Sequence, residues 1–225
     1  MIIITGYSSE IGQSTFNLLK KKKKFLFSGR FKPKFMRKSD SWIELDLASK
    51  ESMSAYITSL KKIKKITGLI YIAAFQSGRK PLKIHSIEEI ENSIDVNLRS
   101  PLYLIKALLE KKFKNFNIVL VGSEAAIYGG NNISAYAITK SAMHSFPKSL
   151  SKELGLQNIR INLISPSVIE TKTLLKNSDN LKKLSQSTAL GRIGKPHEVA
   201  NLIEWLLSKK SSYITGSVIP ITGGR

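Results

Sequence analysis

Tyr136 and Lys140 stand four residues apart in Ser134-Ala135-Tyr136-Ala137-Ile138-Thr139-Lys140, at the start of a helical pattern. On a helix this spacing places both side chains on one face. A free phenol titrates near pH ~10, poorly matched to proton transfer at neutrality, and an adjacent ammonium favours its ionised form. Ser123 precedes Tyr136 by 13 residues, just past an apolar run, and Asn97 lies in Asp95-Val96-Asn97. A carbonyl carbon that receives a hydride leaves negative charge on its oxygen. The site then needs one proton donor and fixed hydrogen-bond donors around that oxygen. Tyr136 can supply the proton.

A second group of residues is built for phosphate. Thr5-Gly6-Tyr7-Ser8-Ser9-Glu10-Ile11-Gly12 directly follows an apolar run and leads into a helical pattern. A tight strand-to-helix turn of this kind aims backbone N–H groups at a pyrophosphate. The second apolar run ends Phe27-Ser28-Gly29-Arg30, with Lys32 and Lys34 beyond. An acid at that point would bond the adenosine ribose of NAD, whereas a guanidinium suits the extra phosphate of NADP. Arg30 favours NADP, with NAD the alternative.

The elements that must hold these residues alternate along the chain. Ile2–Thr5, Phe25–Ser28, Trp42–Asp46, Gly68–Ala73, Asn117–Val121, Ile159–Ile164 and Ser217–Pro220 read as strands, several nearly all apolar, as strands covered on both faces should be. Between them Ile11–Leu19, Lys50–Leu60, Ile87–Leu109, Ser134–Leu154 and Pro196–Leu207 read as helices. A break is expected near Pro101, and Pro147 is expected to bend or interrupt its helix. The alternation predicts an α/β fold, a doubly wound and mainly parallel seven-stranded sheet of the Rossmann type, as one domain over residues 1–225. Ligands of such sheets bind beyond the carboxyl ends of the strands, where the unusual residues lie.

The residues quoted above resemble the classical short-chain dehydrogenase/reductase family. The turn after the first strand is similar to its Thr-Gly-x-x-x-Gly-x-Gly, with Glu10 in place of the middle glycine. An acid there would repel a pyrophosphate at short range, yet it suits the helix dipole and can point outward. The resemblance implies cofactor contacts from Gly6, Ser8, Ser9, Ile11 and Gly12, from Arg30, and from Asp46 and Leu47 at the adenine. Ala73 and Ala74 leave room for the adenosine, although the chain reads Tyr71-Ile72-Ala73-Ala74 where the family carries Asn-Asn-Ala-Gly. Pro166-Ser167-Val168-Ile169-Glu170-Thr171 resembles the Pro-Gly-x-x-x-Thr segment, so Pro166, Val168 and Thr171 are implied at the nicotinamide, with Ser167 replacing glycine. By the same resemblance Tyr136 is the acid/base and Lys140 grips the nicotinamide ribose. Ser123 holds the substrate oxygen, and Asn97 holds a water that resupplies protons through Lys140. Leu190-Gly191-Arg192-Ile193-Gly194-Lys195-Pro196, Tyr213-Ile214-Thr215-Gly216-Ser217 and Gly223-Gly224 extend the likeness to the end of the sequence. The implied activity is hydride transfer between NADP(H) or NAD(H) and a carbonyl/alcohol pair. A homo-oligomer, tetramer or dimer, is implied through the helices Ile94–Leu109 and Ser134–Leu154.

Composition bounds the rest. Over 225 residues, 36 Lys+Arg against 16 Asp+Glu give a net charge of +20, enough to attract phosphates or an acidic partner. Much of that charge lies in Lys20 to Lys24 and Lys61 to Lys65, near expected helix ends, and reads as solvated surface. The aromatic interleaving of a single-strand nucleic-acid binder is lacking. The apolar start Ile2-Ile3-Ile4 is too short for a membrane span, and with no cysteine the reading is a cytoplasmic protein. His85, His144 and His197 show no ligand spacing, so no metal is expected, and Trp42 and Trp205 read as packing residues. Residues 172–195 are expected to cover the substrate. Lys172, Lys176, Asn177, Ser178 and Asp179 there lean toward a polar or anionic one. Two alternatives remain in view: a 3-oxoacyl-carrier-protein reductase, whose acidic carrier would suit the charge, and a non-catalytic NADP-sensing regulator. Retention of Ser123, Tyr136 and Lys140 speaks against the regulator.

Overall fold

In the computed structural model, which describes residues 1–111, 113, 115–175 and 179–225, the first apolar run becomes an interior strand of the sheet, next to the middle one. β1 (Ile2–Thr5) pairs in parallel with β2 (Phe25–Gly29) on one side and β4 (Gly68–Tyr71) on the other. With β3 (Ser41–Glu44), β5 (Phe116–Val121), β6 (Ile159–Pro166) and β7 (Val218–Ile221), the order is β3-β2-β1-β4-β5-β6-β7, every pair parallel. The expected α/β fold is present. The order reverses between β1 and β4, which is where a doubly wound sheet opens a crevice at its carboxyl edge.

Side chains leave a strand alternately to its two faces, and the sheet buries both. Ile3, Leu26, Leu69 and Tyr71 pack with Leu104, Leu108 and Met143 on one face. Ile2, Ile4, Phe25, Phe27 and Ile70 pack with Phe16, Ile203 and Leu206 on the other. The first face is covered by α2 (Lys50–Lys61), α4 (Ser100–Leu109) and α6 (Ser134–Leu154), the second by α1 (Glu10–Leu19) and α9 (Pro196–Leu207). Each such fully buried side chain contributes about 1.5–3 kcal/mol relative to exposure. Trp42 and Trp205 are half-buried against the second cluster, as packing residues.

Several boundaries differ from expectation. The third strand stops at Glu44, because Asp46 turns the chain: its Oδ1 accepts from the Ala48 N–H at 3.0 Å. The fourth stops at Tyr71, short of Ala73, where the chain passes close under Gly6. The expected break near Pro101 lies upstream of it. Helix α3 (Ile87–Ile94) runs into a π-helical turn over Asp95–Arg99 before α4 begins, and Pro101 is the second residue of α4, directly after that turn, where it offers no N–H to the carbonyls behind it. Pro147 does not interrupt α6, which continues as one helix from Ser134 to Leu154. The proline is buried and removes a single backbone bond, which packing of the turns on either side outweighs.

Candidate active site

Three successive strand ends and one helix assemble the chemistry. Ser123 follows β5, and its hydroxyl accepts the Ala125 N–H at 3.2 Å, at the start of the short helix α5 (Ala125–Tyr128). Tyr136 and Lys140 lie in the first two turns of α6, as their spacing predicts, and the Ser123 hydroxyl is near enough to the Tyr136 phenol to act on its pKa. Asn97 sits in the π turn, fully buried. Its Oδ1 accepts from the Phe75 N–H at 2.8 Å. Its Nδ2 donates to the Phe75 carbonyl at 2.9 Å and to Thr139 Oγ1 at 3.0 Å. Thr139 in turn donates to the Tyr136 carbonyl at 2.9 Å. One amide therefore joins the loop after β4 to the catalytic turn of α6.

Lys140 is fully buried, donates to the Val121 carbonyl at 2.8 Å, and stands 5.8 Å from the centre of the Tyr136 ring. Burial disfavours its charge and lowers its pKa to about 7. Burial also raises the Tyr136 phenol above its ordinary value, with the nearby Ser123 hydroxyl opposing. This corrects the expectation that Lys140 brings the phenol down. The ammonium serves the Val121 carbonyl, and desolvation governs both groups. His144, one turn beyond Lys140, is half-buried and its pKa is lowered, first by burial and then by the lysine.

The phosphate-facing turn has the shape its glycines require. Gly6 has φ +68°, and a Cβ there would lie 2.5 Å from the Ala73 nitrogen; one at Gly12 would lie 2.4 Å from the Gly6 carbonyl oxygen. Ser9 caps α1, accepting from the Gly12 N–H at 3.1 Å and donating to the Gly6 carbonyl at 2.7 Å. Ser8 is exposed and Ile11 half-buried at the same turn. This close, N–H-lined approach fits the diphosphate of a dinucleotide. Arg30 is exposed at the end of β2, within 5.9 Å of the Phe31 ring and in no salt bridge among the described residues. Asp46 spends one carboxylate oxygen on its own turn, while the Leu47 carbonyl accepts from Ser100 at 2.6 Å. Ala73 lies under Gly6, its N–H 3.4 Å from Thr5 Oγ1, and Ala74 follows it, exposed.

Glu10 Oε1 accepts the Lys172 N–H at 2.9 Å in an exposed hydrogen bond, joining the phosphate turn to a residue 162 positions later. That partner follows Thr171, whose hydroxyl accepts the Leu174 N–H in α7 (Lys172–Leu175). Pro166 closes β6 and its carbonyl takes the Glu124 N–H at 2.9 Å; the Val168 carbonyl takes the Gly194 N–H at 3.0 Å. Ser167, in the glycine's place, bonds the Thr222 carbonyl at 3.3 Å and is not among the residues with positive φ, so a side chain is accommodated. Lys172 is exposed; Lys176, Asn177 and Ser178, and the side chain of Asp179, lie outside the described residues. Thr139 and Glu124 escaped the sequence reading. Thr139 is signalled only by adjacency to Lys140. The buried Glu124, adjacent to Ser123, pairs with Arg225 at 2.7 Å.

A family model described as enoyl-(acyl carrier protein) reductase matches residues 30–225. The chain belongs to the short-chain dehydrogenase/reductase family. A 3-oxoacyl-(acyl-carrier-protein) reductase FabG from Thermotoga maritima is 31% identical over 238 residues, covering 99% of this chain and 96% of that one. A short chain dehydrogenase family protein from Francisella tularensis superposes with TM-score 0.90 at 27% identity, covering 99% and 96%. A 4-hydroxyisoleucine dehydrogenase complexed with NADH superposes with TM-score 0.89 at 28% identity, covering 99% and 97%. As a family member the chain is an NAD(P)-dependent oxidoreductase that transfers a hydride between a nicotinamide cofactor and a carbonyl/alcohol substrate. No helix among the described residues is long and apolar enough to cross a membrane.

Proposed function

We propose that this oxidoreductase is an NADP(H)-preferring carbonyl reductase whose proton donor is Tyr136. The observation that carries the reading is the convergence of Ser123, Tyr136, Lys140 and Asn97 at the carboxyl edge of β4 and β5, beside a glycine turn with room for a diphosphate. When bound, the reduced nicotinamide supplies the hydride. Tyr136 gives its hydroxyl proton to the substrate oxygen, which becomes the alcohol, and Ser123 donates a hydrogen bond that holds this oxygen as charge develops. Lys140, with a pKa near neutrality, is matched to returning a proton to the phenolate. Asn97 fixes the turn of α6 that carries both groups, through Thr139. Gly6, Ser8, Ser9, Ile11 and Gly12 would hold the diphosphate. Arg30 would hold the additional phosphate of NADP as a bidentate fork. Asp46, Leu47, Ala73 and Ala74 would line the adenosine, and Pro166, Val168 and Thr171 the nicotinamide.

For the substrate, a 3-oxoacyl thioester on an acidic carrier protein has two supports: the likeness to the 3-oxoacyl-(acyl-carrier-protein) reductase of Thermotoga maritima and the net charge of +20, which would steer an acidic partner. Assembly as a homo-oligomer, working in the cytoplasm, is part of the same reading. Leu102 and Tyr103 of α4 are exposed and line a groove with Leu109 and with Leu150 of α6, an apolar strip that a second copy would cover. The test is oxidation of NADPH and NADH, followed by absorbance, over a panel of acyl-carrier thioesters, free thioester analogues and simple ketones. Turnover of carrier-bound 3-oxoacyl groups above the free analogues supports the substrate reading. Equal rates on both cofactors, or turnover of simple ketones alone, overturns the corresponding part.

A further inference from the structure

Tyr71 ends a strand that is otherwise Gly68-Leu69-Ile70, and its ring is fully buried. A buried phenol hydroxyl is costly unless bonded. This one donates to the Val96 carbonyl at 2.6 Å, and burial pushes its pKa well above the ordinary value, so it remains a donor at any working pH.

Val96 lies in the π turn, where backbone bonds run five residues back: the Ser100 N–H bonds the Asp95 carbonyl. In that register the next donor, residue 101, would serve Val96. Residue 101 is proline and has no N–H. Val96 and Pro101 are both buried, and an orphan carbonyl there would cost as much as a lost hydrogen bond. The next residue after Val96 is Asn97, whose amide ties Phe75 to Thr139 beside the reacting groups.

We infer that Tyr71 is a positioning residue for the active site: its hydroxyl replaces the backbone donor that Pro101 lacks and holds the widened turn that presents Asn97. The inference rests on the proposed reading that Asn97 belongs to the site. It assigns a role to Tyr71 across the sheet face from α6, with no contact to substrate.

The test is a double-mutant cycle of wild type, Tyr71→Phe, Pro101→Ala and the pair together. Tyr71→Phe keeps the ring and removes the donor; Pro101→Ala restores an N–H that can serve Val96. Tyr71→Phe alone should lower the urea midpoint, speed amide exchange over residues 95–100, and reduce kcat roughly 3- to 10-fold, the worth of one hydrogen bond. The KM for cofactor should stay within about twofold, since uniform binding is untouched. In the Pro101→Ala background the same substitution should change exchange and kcat by less than about twofold. Equal losses in both backgrounds, or unchanged exchange and kcat for Tyr71→Phe, would overturn the inference. Absence of turnover in the wild type would instead refute the proposed function, while the stability and exchange cycle would still decide whether the hydroxyl replaces the N–H.

Discussion

The two halves of the cleft are built under different constraints. On the catalytic side, Asn97, Thr139 and Lys140 are buried and each polar group is spoken for by a backbone or side-chain partner within about one strand's width. On the nucleotide side, Arg30 and Ser8 face solvent, and the one unusual group, Glu10, reaches across to Lys172. A buried network fails as a unit when one member changes, whereas an exposed rim can be altered residue by residue. The catalytic half therefore sets whether there is a reaction, and the rim sets which cofactor enters and how tightly.

Tyr136→Phe separates the halves most sharply. Turnover should fall by about 10²- to 10⁴-fold while NADPH binding, read by titration of nicotinamide fluorescence, is retained. Retention of more than roughly a tenth of the wild-type rate would remove Tyr136 as the proton donor.

Lys140→Met should lose turnover on a comparable scale and also change how stability depends on pH. The folded pKa of Lys140, about 7, lies below its unfolded value of 10.5. The unfolded chain therefore binds more protons between those limits, and stability from this group rises as pH increases from 7 to 10.5 and is lost as pH falls. Lys140→Met lacks that slope. Urea midpoints measured from pH 7 to 10 should climb in the wild type relative to the variant, and parallel curves would contradict the burial argument.

At the rim the effects are smaller. Arg30→Asp should invert the order of NADPH and NADH affinities through a change of roughly 10- to 100-fold in their ratio, the size of a charge-assisted pair. An unchanged ratio would show that the added phosphate binds elsewhere. Glu10→Gly removes a carboxylate from beside the diphosphate turn and frees the Lys172 N–H. Calorimetry should show NADPH binding tightened about 3- to 10-fold, a single exposed interaction. Weaker binding by the variant would mean that the Glu10–Lys172 bond helps to build the cofactor seat.

Which parts were readable from sequence follows the same division. Strands were legible because buried parallel strands must be apolar runs, and Tyr136 with Lys140 because helical spacing is local. The π turn was not, since one extra residue per turn at Asp95–Arg99 leaves the apolar periodicity almost unchanged; only Pro101 hinted at an irregularity, and it marks the start of α4 rather than the break. The partner of Glu10 was not legible because local physics, an acid at a helix start, says nothing about a group 162 residues away. The sign of the Tyr136 shift was misread because spacing shows that Lys140 is near, but not that the Val121 carbonyl claims its ammonium. Thr139 and Tyr71 had no local signature, since their partners come from other elements.

The position of β1 has a consequence for how the molecule is made. β1 is an interior strand, and one of its two neighbours, the central β4, begins 66 residues later, with Ile2 opposite Gly68. During synthesis the first strand emerges with half of its hydrogen-bonding edge unfilled until β4 has left the ribosome, a wait of roughly 3–13 s at ordinary elongation rates. The close packing of Gly6 on Ala73 is likewise completed only once that later segment is in place. Its apolar β1–β2 pair is the segment of a nascent chain for which early capture by a chaperone matters most, and slower translation between residues 30 and 70 should lower the yield of soluble protein before any other pause does.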